Sequence, residues 1–296
     1  MSRRLGVPRV GRFFGGAFAA ATLLLAGAAP SSAQIWREIT ERADEVLDTA
    51  EKVGAAVVPI STAQEIEIGR GVAATVAGHY TILRDPALTA YVNLVGNAVA
   101  SADPRPDIVY RFAVLDSDEV NAFAAPGGYV FVTRGALALM EDESMLAGVL
   151  AHEVVHVNQR DVIEEIQDRA RTDFGISEAA ERVDITGEEY LEQAIGVGTN
   201  ALFLGLGRED ELEADTIGMR LASETGYDRG GIQRFIARLE EHSDDASLSL
   251  LEKTHPDPDE RLDALEDAVD RIPSERRGKV VAAARFLRHV EAVGSS

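Results

Sequence analysis

Apolar residues recur every three or four positions among acids in "IWREITERADEVLDTAEKV", which predicts an amphipathic helix within residues 34–60. A second helix is expected over 61–79, with Ser61 or Thr62 as N-cap and Glu65 at capping-box distance. A third runs from Pro86 to Ala102, with proline at a permitted early position. The pattern changes at Pro104. Asp107–Asp116 and Gly128–Gly135 are short, rich in β-branched and aromatic residues and bounded by turn formers, and both read as strands. The intervening "SDEVNAFAAPGG" ends in Pro-Gly-Gly and reads as a loop, which would make the two strands a hairpin. Helical spacing resumes at Ala136 and continues to about Gln167. Residues 168–196 are polar and mixed, and suggest a cover over whatever the preceding helix carries. Further helices are expected at Glu209–Thr225, Gly230–His242, Asp259–Ile272 and Glu275–Val293.

The pattern therefore predicts an α+β fold, mostly helical, with a small sheet. No repeat interrupts it, so one domain over residues 61–272 is the simplest account, with 273–296 as a C-terminal helix and tail. A hydrophobic fraction of 46% beside 27% charged residues is the balance of a globular chain.

Residues 1–33 differ from the rest. Arg3, Arg4, Arg9 and Arg12 precede the apolar run Phe13–Ala29, and Ser31 and Ala33 satisfy the small-x-small rule before Gln34. That is the form of a signal peptide, and it places the rest of the chain in the periplasm or cell envelope, soluble after cleavage. An uncleaved membrane anchor is the competing reading of the same run. Without these four arginines the formal charge is 25 − 50 = −25. So acidic a chain argues against nucleic acid as a partner and against anionic lipid surfaces. There is no cysteine, which excludes disulfides and thiol chemistry. After Gln34 no apolar stretch is long enough for an integral membrane span.

The chemistry-bearing stretch is "LAHEVVHVN", Leu150 to Asn158. Residues i and i+4 share one helical face, so His152 and His156 can bind one zinc ion. Glu153 then lies beside the open coordination position, where it can accept a proton from water. Two core histidines satisfied by carboxylates are the bland alternative. It leaves Glu153 without a role, although glutamate is almost never fully buried unpaired. A catalytic zinc needs a third protein ligand. The best source is "GREDELEADTIG", Gly207 to Gly218, where Glu211 and Asp215 are again i and i+4. One of them would ligate while the other orients a histidine from the outer shell.

"HEVVH" followed by "ELEAD" resembles the gluzincin metallopeptidase family that includes HtpX and the CAAX prenyl endopeptidases, and in particular its exported, soluble bacterial members. Other segments match in the same order. These are "TAQEIEIGR", "NAFAAPGGYVFVTRGAL" (Asn121 to Leu137), Arg208 before Glu211, and "THPDPDER" (Thr254 to Arg261). The resemblance implies a zincin-like fold with one Zn2+ per chain. It implies His152, His156 and Glu211 as ligands, Glu153 as general base and Asp215 as the outer carboxylate. It supports His255 and Arg261 as partners of the developing oxyanion. It also places Asn121, Ala122 and Phe123 nearest the substrate, which would add as a strand to the sheet edge. Gly207 replaces the family's common serine, and the membrane spans of the named members are absent, which sets aside their membrane-embedded substrates.

The function expected from these residues is zinc-dependent endopeptidase activity in the bacterial cell envelope. Its partners would be polypeptide substrates, unfolded or misassembled exported proteins. A zinc-binding, chaperone-like protein that cleaves little is the alternative, and a small-molecule hydrolase on the same scaffold is a third reading.

Overall fold

The described residues are 60–174, 188–242, 245–255, 258–269 and 278–290 of a computed structural model of the chain. The expected export segment, and the expected 34–60 helix up to Ile60, lie outside them. So does 175–187, the middle of the expected polar cover.

Ser61 caps helix α1 (Thr62–His79) by accepting from the Gln64 backbone N–H, and the Gln64 side chain reciprocates on Ser61. The capping-box partner is therefore Gln64, not Glu65. Counting from Ser61, Gln64 holds the third helical position, whereas Glu65 turns inward and is wholly buried. Helix α2 (Pro86–Ala100) is capped by Asp85 and starts on its proline.

Three strands follow: β1 (Arg111–Leu115), β2 (Ala122–Ala125) and β3 (Tyr129–Thr133), in the spatial order β1-β3-β2. β1 runs parallel to β3, and β2 runs antiparallel to it. The expected hairpin between the first and last strands is thus corrected: β3 turns back on "AFAA", the segment expected to be a loop. The Pro126–Gly128 turn makes the reversal directly after Ala125, with Gly127 at φ 72, where a Cβ would also meet the Ile66 Cα at 2.8 Å. Alanine is a poor strand former in isolation. Here it fits because β2 is buried on both faces. Ala122 and Ala124 pack into one apolar cluster with Val114, Val130 and Val132, and Phe123 and Ala125 into another with Phe131 and Phe203.

The remaining helices are α3 (Arg134–Leu139), α4 (Glu143–Gln159), α5 (Asp161–Phe174), α6 (Glu188–Leu204), α7 (Arg208–Glu224), α8 (Gly231–Glu241), the single turn α9 (Leu251–Thr254), α10 (Pro258–Val269) and α11 (Ala283–Val290). One cluster joins α2, α4, α7 and α8 on one face of the sheet; the other joins α1, α5 and α6. Where one helix was expected from Ala136 to Gln167, there are three. Asp142 starts α4 by accepting from Ser144 and Met145 N–H at 2.8 and 3.0 Å. Arg160, left-handed at φ 67, ends it. Apolar spacing continues across both breaks, so periodicity alone does not reveal them. Among the described residues the terminal helix starts at Ala283, after non-helical residues 278–282, not at the expected Glu275. Ahead of it, Val281 O accepts from the Glu143 and Ser144 N–H groups at 3.1 and 3.3 Å, satisfying the first turn of α4.

The architecture is the expected one, helical around a three-stranded sheet. Among the described residues no helix is long and apolar enough to cross a membrane.

Candidate metal centre

Every residue of α4 from Glu143 to Val157 is buried. A buried polar side chain needs a partner, so His152, Glu153 and His156 each raise the question of what satisfies them. The two imidazoles meet edge-on, with planes at 85° and ring centroids 4.6 Å apart. Their outer nitrogens are both taken. His152 donates through Nδ1 to Asp215 Oδ1 at 2.9 Å, and His156 through Nδ1 to Asp161 Oδ2 at 2.6 Å.

A neutral imidazole that donates from Nδ1 presents a lone pair at Nε2. The two Nε2 atoms are 3.0 Å apart. Glu211 Oε2 is 3.4 Å from the first and Glu211 Oε1 3.6 Å from the second. Two lone pairs and a carboxylate converging in a buried space repel one another unless a cation lies among them. Tetrahedral zinc, at about 2.0–2.1 Å from each nitrogen or oxygen, holds its ligand atoms roughly 3.3 Å apart. The donor set fits such an ion in both chemistry and spacing.

The same field attracts protons. Burial opposes a charged His152, but the hydrogen bond and charge of Asp215, followed by Glu211, outweigh it and push the imidazole up to about 10. Burial would raise Glu211, yet His255, His152 and His156 hold it well below the usual carboxylate range. Asp215 is likewise depressed against burial, chiefly by the Arg261 guanidinium. The cluster is thus built around stored negative charge.

α7 brings Glu211 and Asp215 to the histidines. Its first turn holds Glu209, Asp210 and Glu211, matching acids to the positive end of the helix dipole. Gly218, on the inward face two turns beyond Glu211, sets the distance. A Cβ there would meet the His152 backbone nitrogen at 2.9 Å, so the two helices approach closely where the ligands meet.

Glu153 is 2% exposed. It lines a cleft with Ala122, Phe123 and Ala124 of β2, Glu211 and His255. Among the described residues nothing hydrogen-bonds its carboxylate. No strand pairs with the outer edge of β2 among them either. Asn121 does not line the cleft; its Oδ1 accepts from Ala122 N–H at 2.9 Å, and its buried Nδ2 has no hydrogen-bond partner among the described residues. Ala122 and Phe123 do line it.

His255 also reaches the centre, donating through Nδ1 to Glu211 Oε2 at 2.5 Å. With His152 and Glu211 it offers donor atoms that lie within 4.8 Å of one another. Arg261 departs from expectation. Its Nε and Nη2 bind Asp215 at 2.7 Å each, and it is buried behind the centre rather than in the cleft lining. A bidentate carboxylate satisfies a guanidinium, which explains why it turns away from a site for an oxyanion. Asp161, the partner of His156, was not found in the sequence. In a continuous helix it would lie about 140° round from His156, and only the left-handed break at Arg160 turns it back.

The comparisons point to a peptidase family. Residues 86–269 match the model of peptidase family M48. The chain is 28% identical over 245 residues to the β-barrel assembly-enhancing protease of Escherichia coli (strain K12), covering 79% of this chain and 49% of that protein. It is 29% identical over 180 residues to the mitochondrial metalloendopeptidase OMA1 of Schizosaccharomyces pombe, covering 60% and 52%. An 82-residue stretch is 38% identical to a protease HtpX homolog of Acidiphilium cryptum. The chain spans about half the length of the first two relatives. The family match covers more than half of this chain and includes both α4 and α7, with every donor described above, so the chain belongs to peptidase family M48.

Proposed function

We propose that the chain is a zinc-dependent endopeptidase that cleaves unfolded or misassembled proteins of the bacterial cell envelope. The observation that carries this reading is the convergence of His152, His156 and Glu211 beside Glu153, a buried carboxylate that lines a cleft and has no hydrogen bond among the described residues. The envelope assignment rests on the exported form of residues 1–33 and on the relatives named as β-barrel assembly-enhancing proteases.

His152, His156 and Glu211 would hold the zinc. When bound, zinc polarises a carbonyl oxygen and makes water nucleophilic at neutral pH. Glu153 takes a proton from the attacking water and delivers it to the departing amine nitrogen. With no hydrogen bond to it among the described residues, the carboxylate is free to accept that proton. Asp215 fixes the His152 ring, and Arg261 fixes Asp215, so Arg261 is a positioning residue in this scheme. A catalytic centre keeps one position open. We therefore assign three ligands and leave His255 to the cleft wall, where it meets the reacting carbonyl. The outer edge of β2 offers main-chain hydrogen bonds to an extended substrate, with Ala122 and Phe123 beneath it and Asn121 holding its entry. Recognition through backbone suits unfolded chains of varied sequence.

The test is cleavage of an unfolded protein by zinc-loaded wild type and by Glu153→Gln, each with and without a chelator. Cleavage is expected from the loaded wild type alone. Full zinc occupancy with no cleavage of any unfolded chain would favour the chaperone-like alternative.

A further inference from the structure

His152 and His156 are backed by different parts of the chain. Asp215 reaches His152 from α7, a separate helix, and is clamped there by Arg261. Asp161 reaches His156 from only five residues along the chain, at 2.6 Å. The local route is possible only because α4 stops at Arg160. That residue sits at φ 67 and ψ 32, a left-handed conformation that non-glycine residues hold only where their surroundings impose it.

The surroundings are visible. Arg160 Nε pairs with Glu65 Oε2 at 2.9 Å, and its Nη2 donates to Ile60 O at 2.5 Å. Glu65 is wholly buried and also binds Arg105 through both oxygens, at 2.8 and 2.9 Å. Arg105 Nη1 in turn donates to Val157 O at 2.6 Å, in the last turn of α4. A buried glutamate on α1 thus holds the end of α4 through two arginines, Arg160 at the break and Arg105, which reaches Val157 just before it. Asp161 itself is 7% exposed and begins α5.

We propose that Asp161 is the positioning residue of His156: it accepts the hydrogen bond from Nδ1–H and so aims Nε2 at the metal. The left-handed turn at Arg160, locked by Glu65 and Arg105, is what places it there. This rests on the metal reading above and adds the means by which one ligand is oriented. The bland account of Asp161 is an acid in the first turn of α5, favoured by the helix dipole. The two accounts differ in what removal does to the metal. An outer-shell partner lost from a ligating histidine lowers metal affinity roughly 10- to 100-fold. Loss of a helix-terminal acid leaves affinity unchanged.

Zinc affinity of the purified full chain is measured by competition with a chromogenic chelator for wild type, Asp161→Ala and Asp161→Asn. Circular dichroism and melting of the metal-free proteins are followed alongside. In the zinc forms, two-bond 1H–15N spectra of 15N-histidine-labelled protein report whether the His156 Nδ1–H is protected from exchange. The expected result is one zinc per wild-type chain, a roughly 10- to 100-fold weaker Asp161→Ala with the Nδ1–H signal lost, and a smaller loss for Asp161→Asn, which keeps an acceptor. Metal-free folding should be alike in all three. Should Asp161→Ala not fold, Asp161→Asn alone decides. Variants that bind within twofold of wild type overturn the positioning role and leave the metal reading intact. A wild type that takes up no zinc overturns the metal reading itself.

Discussion

Glu143 and Glu153 lie on the same helix, α4, and are buried to 1% and 2% exposure, yet their surroundings have little in common. Glu143 is saturated. Tyr91 and Tyr227 each donate a hydroxyl to it at 2.8 Å, and Arg285 binds both of its oxygens. Glu153 has no hydrogen bond among the described residues and faces a cleft. Leaving a buried carboxylate unsatisfied costs free energy that Glu143 shows this fold can avoid. The difference separates two uses of a buried acid. One ties α2, α4 and the C-terminal helix α11 together; the other lines a cleft, and in the proposed function keeps its oxygens available to a substrate. The comparison breaks if either residue behaves like the other on substitution.

The largest effect is expected at Glu153. Glu153→Gln keeps shape and volume and removes the proton acceptor, so cleavage should fall about 10²- to 10⁴-fold, the usual contribution of a general base. Zinc content should persist, and unfolding free energy should stay within about 1 kcal/mol of wild type, because no hydrogen bond is lost. Steady-state cleavage and urea unfolding measure the two halves. A variant that lost stability but still cut would make Glu153 a structural acid like Glu143.

Glu143→Gln should do the reverse. Two buried tyrosine hydroxyls lose a charged acceptor, and Arg285 loses its counter-ion, for about 2–4 kcal/mol of stability. Cleavage per folded molecule should be unchanged. Denaturant midpoints and cleavage by the folded fraction at low temperature separate these. A fall in cleavage without a fall in midpoint would refute the division of labour.

How much of this was legible before the structure follows from sequence distance. His152, Glu153 and His156 fall within one helical turn or so, and helical geometry alone puts the two histidines on one face. Glu211 and Asp215 were legible for the same reason, as an i, i+4 pair. Glu143 was not, because its partners stand 52, 84 and 142 residues away. No local pattern encodes such a meeting. Asp161 was hidden differently: it is close in sequence, but the turn that aims it depends on Glu65, from the far end of the domain. β2 was read as a loop because its alanines carry little strand preference, and packing on both faces decided instead. Arg261 sits 46 residues from Asp215, which occupies its guanidinium, and no local pattern encodes that pairing.

Acid sharpens the comparison further. Burial alone would raise the Glu143 carboxyl, but the hydrogen bonds from Arg285, Tyr91 and Tyr227 bring it below its ordinary value of 4.5. A carboxyl depressed on folding contributes stability above its unfolded pKa, and that contribution is lost as pH falls through the folded value. The stability gap between wild type and Glu143→Gln should therefore be widest above about pH 5 and close progressively in acid. Asp215, depressed in both proteins, cancels from this difference. Unfolding free energies of the pair at several pH values test it, and a gap independent of pH would mean that Glu143 is not the charged anchor described here.

The smallest effect is expected from Arg285→Ala. The Arg285 side chain is 48% exposed, so water screens its ion pair and replaces part of its hydrogen bonding. α11 keeps two other attachments. Phe286 is fully buried, and His289 stacks on Tyr91 with ring centroids 4.2 Å apart. Glu143 keeps both tyrosine hydroxyls. The expected cost is about 1 kcal/mol or less, well under that of Glu143→Gln, since the variant removes the exposed half of the pair and leaves the buried half satisfied. Equal losses for the two variants, by the same denaturant titration, would mean that Glu143 is stabilised by the arginine alone. In that case the tyrosines would be bystanders, and the contrast with Glu153 would reduce to a single counter-ion.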